Sequence, residues 1–339
     1  MALVETLAPT RPTGFSRRQV FKVLAATAAV PVGIAGMRWL SPEPTFHEWN
    51  GVVMGGLGSL ALYHSDAGFA QATIARMITE VRRLEGVFSL FEPGSEISRL
   101  NADGAVAASR DLRAVLDLSR AVSEASGGAF DVTVQALWRL YETHFAEPGA
   151  NPAGPPAEAI RAAVRLVDYT AVETAGGRAR LGRTGMSVTL NAIAQGYITD
   201  RVGDLLRNEG FDHVVVRLGE TRVLGARPDG EPWLVGVRDV TGTASRNVAL
   251  IDRSLSVSGG YGTVFEASGQ ANHIFDPDTG RSAGDGVTTV AVTADRAAIA
   301  DGLSTAIVVA GEARAPAILA AWPGTEALVI RGDGTSAAL

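Results

Sequence analysis

The chain has no cysteine in its 339 residues. That excludes disulfides, thiolate metal sites and a cysteine nucleophile. It also lacks a basic excess. Thirty Lys and Arg against 36 Asp and Glu leave a formal net charge of −6, and no basic patch stands out, so nucleic acid is not an expected partner. Long apolar runs are missing too. The one notable run, Val23 to Gly36, is 14 residues, short of the roughly twenty that span a bilayer. No internal repeat or low-complexity tract is present. What remains is an ordinary globular balance, 46% hydrophobic and 19% charged, with length enough for a sizeable core. Glycine is abundant, at 39 residues, so many tight turns or close backbone approaches are expected.

The first forty residues stand apart. In "FSRRQVFKVLAATAAVPVGIAGM" the pair Arg17 and Arg18 precedes the apolar run. This reads as a twin-arginine export signal over residues 1–40, and it implies a periplasmic destination. One domain is expected over residues 41–339.

Along that domain, "EWNGVVMGGLGSLALYH" predicts a strand, a Gly-rich bend and a second strand. Ile74, Met77, Ile78, Val81 and Leu84 recur at helical spacing. "EPGSEISRLNADG" reads as a loop by composition, and Asp111 to Ser126 as a helix stopped by Gly127 and Gly128. Gly149 to Pro156 reads as an exposed loop and Pro155 to Val167 as a helix. "GMSVTLNAIA" predicts a strand, followed by a helix from Tyr197 to Glu209 closed by Gly210. Strands are expected in "HVVVRLG", "PWLVGVRD", "VALIDRSLSVSG", "VTTVAVTA" and "ALVIRGDG". Helices are expected over Ala297 to Ala310 and Ala313 to Ala321. Helices and strands mix without strict βαβ alternation, which predicts an α+β fold around a central mixed or antiparallel sheet.

Four stretches carry more polar and glycine signal than packing needs. They are "SLFEPGSEISRLN", "GGAFDVT", "SGGYGTVFEASGQANHIFDPDTGRS" and "ADGLSTAIVVAG". Asp131, among apolar neighbours, is on residue type alone more often a turn cap than a ligand group. His273, flanking Ile274 and Phe275 with Asp276, is by the same standard more often structural than catalytic. Asp301 and Thr305 lie i, i+4 on one helical face. Two such oxygens suit a hard cation such as Mg²⁺, although a plain helical hydrogen bond explains the pair by itself.

Taken in order and interval, these stretches resemble the ApbE family of FAD:protein FMN transferases. The resemblance runs from about Val53 to Gly311 and rests on "MGGLGSLALYH", "FSLFEPGSEISRLNADG", "SGGAFDVTV", "NHIFDPDTGRS" and "ADGLSTA". It implies an α+β fold with flanking helices and a nucleotide cleft between two lobes. It implies that a metal-bound FAD is split at its pyrophosphate. The FMN half is then joined by a phosphoester to a Thr or Ser hydroxyl of an acceptor flavoprotein. By resemblance, Asp301 and Thr305 are metal ligands through side-chain oxygens, and Ala192 supplies a backbone carbonyl. Met54, Phe91, Ala129, Phe130, Asp131, Gln195 and Ile274 are implied flavin-nucleotide contacts. Asp301, with His273 and Asp276 near the phosphates, makes up the implied catalytic set.

Two motifs depart from the family pattern. Where the family has Asp-Leu-Gly-x-Ile-Ala-Lys-Gly, this chain reads "TLNAIAQG", so Thr189 replaces the acid, Asn191 the glycine and Gln195 the lysine. Gly219-Glu220-Thr221 stands where Gly-Gly-Asp is usual. "LNAIAQGYITDRV" is similar to the branch called NosX, linked to nitrous-oxide respiration, whose implied acceptor is the membrane-bound flavoprotein NosR. The tail "DGTSAAL" has Leu339 where an acceptor motif needs a hydroxyl; it reads as a strand-end turn and a frayed terminus. A hydrolase releasing FMN and AMP, and a flavin carrier without catalysis, are the alternatives at this point.

Overall fold

The computed structural model describes residues 5–6, 44–238, 245–283 and 287–339. Apart from Glu5–Thr6, the expected export signal lies outside them. The central element is one eight-stranded sheet. Its strands are β1 (Thr45–Val53), β2 (Gly56–His64), β3 (Val214–Arg217), β4 (Thr221–Leu224), β5 (Ser254–Ser258), β6 (Val287–Ala294), β7 (Glu326–Arg331) and β8 (Ser336–Ala338). They lie side by side in chain order, and every neighbouring pair is antiparallel. So the sheet is antiparallel rather than mixed.

Eight α-helices are described. They are α1 (Ala67–Phe88), α2 (Glu96–Asp103), α3 (Arg110–Ser126), α4 (Gln135–Ala146), α5 (Ala157–Val164), α6 (Ala194–Asn208), α7 (Ala297–Ala310) and α8 (Ala315–Ala320). Strand periodicity divides the sheet into two faces. Val214, Val216, Leu224, Val290, Val292 and Val329 point into the main core, with buried residues of α1, α3, α6 and α7. Val215, Val223, Leu255, Ala291 and Ile330 point the other way, under Trp233, Val235, Val237 and Leu250 of a covering hairpin. α7 is buried nearly all round, as expected for an apolar helix at the centre of a domain. A smaller satellite core joins Leu137 and Tyr141 of α4, Ile160 of α5, and Phe275.

Several local expectations change. The "EPGSEISRLN" stretch holds a helix, α2. Ser95 caps its N-terminus by accepting from the Ser98 N–H, Gly104 ends it at φ 72°, and Ile97 and Leu100 are buried. The capping pattern outweighed the loop-like composition. Residues 186–193 form no strand, because their backbone partners are not a neighbouring strand. The Asn101 side chain donates to the Val188 carbonyl at 2.8 Å and accepts from its N–H at 2.6 Å, and the Thr189 N–H donates to Val132 at 2.8 Å. The C-terminal tail is not frayed: Leu339 and Ala327 exchange backbone hydrogen bonds, and Ser336–Ala338 pairs with β7 as an edge strand. The Gln135–Ala146 helix was not predicted, and the Pro155 to Val167 helix is shorter, Ala157–Val164.

Candidate functional site

The site begins with two antiparallel helices that lack side-chain caps of their own. Neither Ile193 before α6 nor Arg296 before α7 makes a capping bond. The first N–H groups of a helix need acceptors, and each helix supplies an aspartate to the other. Asp200 of α6 accepts from the Ala297 and Ala298 N–H groups at 2.9 and 3.0 Å. Asp301 of α7 accepts from the Gly196 N–H at 3.0 Å. This close crossing requires glycine: a Cβ on Gly196 would lie 2.5 Å from the Ala297 carbonyl oxygen.

Ala192 lies two residues before α6, and the Gly196 N–H is one of the first N–H groups, which a helix leaves without a carbonyl partner of its own. Among the described residues no backbone N–H donates to the Ala192 carbonyl. One turn along α7, the Thr305 hydroxyl bonds the Ser258 hydroxyl at 3.1 Å, and Ser258 bonds Ser304 at 2.7 Å. Of the three oxygens implied by the family resemblance, those of Asp301 and Thr305 lie one turn apart on α7, and Ala192 lies just before α6. Among the described residues no three His, Asp or Glu side chains cluster as a metal site. The donor set here is of mixed kind (carboxylate, hydroxyl and carbonyl), and all its atoms are hard oxygens, which suit Mg²⁺.

Asp301 is 4% exposed. Burial, with the charge of Asp200 behind it, pushes its carboxyl up to about 7, against the favourable Gly196 N–H. A second acid, Glu220, sits in the β3–β4 turn. Its carboxyl is raised well above the ordinary value by burial and then by the charge of Asp301, while the Ser256 hydroxyl and Val257 N–H favour its anion. Sequence reading marked Glu220 only as a departure from the family pattern. The register of β4 on β5, where Leu255 faces Thr221, fixes the strand that follows this turn.

Gln195 lies where the turns meet. Its side chain covers Gly219, at φ 102°, where a Cβ would come within 2.6 Å of the Gln195 amide carbon. Its Nε2 also lies 3.9 Å from the Cβ position of Gly56. Among the described residues its amide makes no protein hydrogen bond, and it is only partly buried. Met54 and Gly55 form the two-residue turn between β1 and β2, both with positive φ (51° and 79°). That is the type I′ pattern, in which a non-glycine residue costs about 1 kcal/mol or more. The Met54 N–H is held by the Glu85 carboxylate at 2.7 Å. Glu85 also lines a cavity of about 240 Å³ with Trp49, Ile78 and Arg82. That cavity is backed by α1 and is lined by none of Asp301, Thr305 and Gln195.

The remaining implied contacts fall into two groups. Phe91 offers a ring that is 85% exposed, on the loop before α2. Phe130 and Ile274 are buried, at 2% and 6%, so their side chains serve the core. Ala129 enters the same turn, its N–H bonded to Ser126 at 3.5 Å. Asp131 spends both oxygens locally. One accepts from the Thr133 N–H and hydroxyl at 2.7 and 2.6 Å, the other from the Tyr169 N–H at 2.9 Å. It acts as the cap that its residue type suggested. Asp276 accepts from the Asp278 N–H at 2.9 Å inside its own turn. His273 packs its ring against Trp138 of α4, centroids 6.2 Å apart, and its Nδ1 meets the Thr263 carbonyl and N–H at 3.1 and 3.2 Å. Nε2 is the ring atom left for chemistry, and burial lowers the pKa of the ring below its ordinary value.

The ApbE family model matches residues 54–329. An FAD:protein FMN transferase from Treponema pallidum is 30% identical over 306 residues, covering 83% of each chain. One from Vibrio cholerae is 29% identical over 281 residues, covering 79% of this chain and 81% of its own. Among solved structures, a flavin transferase ApbE from Vibrio cholerae superposes with a TM-score of 0.73 at 26% identity, over 87% of this chain and 97% of that one. The Pseudomonas stutzeri flavinyl transferase ApbE gives 0.73 at 25% identity, over 87% and 95%.

Proposed function

We propose how this chain, which belongs to the ApbE family and is an FAD:protein FMN transferase, carries out its transfer: with a Mg²⁺ at Asp301, Thr305 and the Ala192 carbonyl, it passes FMN from FAD to a Ser or Thr hydroxyl of a periplasmic, NosR-type flavoprotein. The observation that carries this reading is Asp301, a buried carboxylate held at the N-terminus of α6 just after Ala192 and one turn from the Thr305 hydroxyl on α7. Asp301 binds the cation, which when bound neutralises the pyrophosphate and polarises the phosphorus. Phe91 and Met54 offer apolar contact to the isoalloxazine. The Gln195 amide, without a protein partner, offers one donor pair and one acceptor to the nucleotide. The acceptor hydroxyl oxygen bonds to the FMN phosphorus as the phosphorus–oxygen bond to AMP breaks. AMP leaves with that electron pair, and the hydroxyl proton passes to a base. His273 supplies that base: its lowered pKa keeps it neutral at pH 7, with Nε2 available. Asp131 and Asp276 hold their loops with the oxygens already described.

The periplasmic destination rests on Arg17, Arg18 and the apolar run that follows. The NosR-type acceptor rests on the "LNAIAQGYITDRV" stretch. The test mixes the purified protein with FAD, Mg²⁺ and a NosR-type flavin domain. An FMN-sized mass gain on the acceptor, with AMP released and both lost on chelation, is the expected result. FMN and AMP released without acceptor labelling would make the chain a hydrolase. Transfer that persists in the chelator would remove the cation from the reading.

A further inference from the structure

Two serines sit on the core-facing side of β5, where packing alone favours apolar residues. Ser256 and Ser258 stand directly opposite Val292 and Val290 of β6, two valines of the main core. Both hydroxyls reach Ser304 of α7, which is fully buried. Ser304 donates to the Asp301 carbonyl at 2.9 Å. A serine hydroxyl has one proton to give, so toward Ser258, at 2.7 Å, Ser304 accepts. Ser258 thus spends its own proton on Ser304, and toward Thr305, at 3.1 Å, it accepts in turn. Ser256, 3.2 Å from Ser304, is the longer contact, and the polarity of the hydroxyl chain does not depend on it.

The Thr305 proton is therefore held by Ser258, and both lone pairs of the Thr305 oxygen are left for another partner. A helical threonine often bonds back to the carbonyl four residues earlier instead. For Thr305 that carbonyl belongs to Asp301, and the Ser304 hydroxyl occupies it. Among the described residues the one hydrogen bond of the Thr305 side chain is that to Ser258. We propose that Ser258, anchored by Ser304, is a positioning residue that fixes Thr305 as an oxygen donor to the divalent cation shared with Asp301. The inference rests on the cation reading given above. A hydroxyl ligates a cation through a lone pair, so its proton has to be held elsewhere, and the group that holds it sets the direction of the donor. Ser258 closes β5, whose pairing with β6 runs to that residue, so the acceptor is carried by a fixed strand.

The test measures Mn²⁺ affinity by paramagnetic resonance, and Mg²⁺ affinity by competition, in flavin-free protein and again with FAD present, the variants being compared in whichever state binds. Ser258→Ala should weaken both ions about tenfold to hundredfold, the usual cost of removing a group that orients a metal ligand. Ser258→Thr, which keeps the hydroxyl, should restore most of that affinity. Ser304→Ala, which releases the Asp301 carbonyl to Thr305, should weaken binding too. Thr305→Val should lose at least as much as Ser258→Ala. Adding Ser258→Ala to Thr305→Val should cost nothing further, because Ser258 acts through Thr305. Ser258→Ala with wild-type affinity, beside a Thr305→Val that has lost it, would overturn the role of Ser258 and leave the cation reading standing. A Ser258→Ala loss that repeats in full on the Thr305→Val background would overturn it equally, since Ser258 would then act on its own. Wild-type protein that binds neither ion with FAD present, or Asp301→Asn and Thr305→Val at wild-type affinity, would take the cation reading with it.

Discussion

α6 and α7 meet at two ends, each with a buried acid, and the two ends are neutralised differently. At one end Asp200 and Asp204 share two arginines. Arg222 reaches Asp200 at 3.2 Å and Asp204 at 2.9 Å, and Arg296 reaches the same pair at 3.3 and 2.9 Å. These guanidiniums hold Asp204 below its ordinary value despite burial, and they oppose the effect of burial on Asp200. At the other end no Lys or Arg pairs with Asp301 or Glu220 among the described residues, and both carboxyls are raised, by burial first. β4 gives Arg222 to the first end. A buried acid matched by arginine is a structural fitting. A buried acid without an arginine is the kind of group whose charge a divalent cation could balance, as in the cation reading proposed above. Strongly shifted groups in such places mark functional sites more often than packing sites.

The sharpest way to break this contrast is Asp301→Asn. Transfer should fall on the order of 10³-fold or more, since a metal ion supplies several kcal/mol of transition-state stabilisation; single-turnover rates with labelled acceptor measure it. The converse change at the neutralised end is Arg222→Met. It leaves the Asp200 charge, buried at 1% exposure, short of a partner and should cost about 3–5 kcal/mol of stability, read by urea denaturation. Loss of stability at Asp301→Asn of the same size would erase the distinction between the ends.

Proton linkage sharpens the contrast further. Asp301 binds its proton more tightly folded than unfolded, with a folded value of about 7. The stability this contributes is therefore complete below the ordinary carboxylate range, near pH 4, and is lost as pH rises through about 7. In metal-free protein, denaturation midpoints should decline over that window, and Asp301→Asn should flatten the decline. Saturating Mg²⁺ should flatten it too. The smallest effect expected is at Gln195. Gln195→Lys places a charge beside the nucleotide and should change FAD affinity severalfold, about 1 kcal/mol, by fluorescence titration. Unchanged affinity would make Gln195 a cover for Gly219 and nothing more.

Much of this was legible in the chain itself. Cysteine content excluded whole classes of chemistry. Apolar periodicity placed α1, α7 and the long strands, because those signals are local and strong. Motif order placed Asp301, Thr305 and Gln195 near one another through resemblance. Composition misjudged residues 92–104, where Ser95 and Gly104 cap a helix. It also misjudged residues 186–193, where an asparagine 87 positions away supplies the backbone partners of Val188. The residue type of Asp131 suggested capping, and its hydrogen bonds agree.

Sequence alone determined the α+β class and the family, since those depend on residue type and order. Only the tertiary structure decided which acids are neutralised. Asp200 and Asp301 read alike in sequence, each an aspartate within a helix. One meets arginines brought by β4 and by the residue before α7; the other accepts the Gly196 N–H and has no arginine partner among the described residues. Charge in a buried site is set by neighbours across the sheet, and no local pattern encodes them.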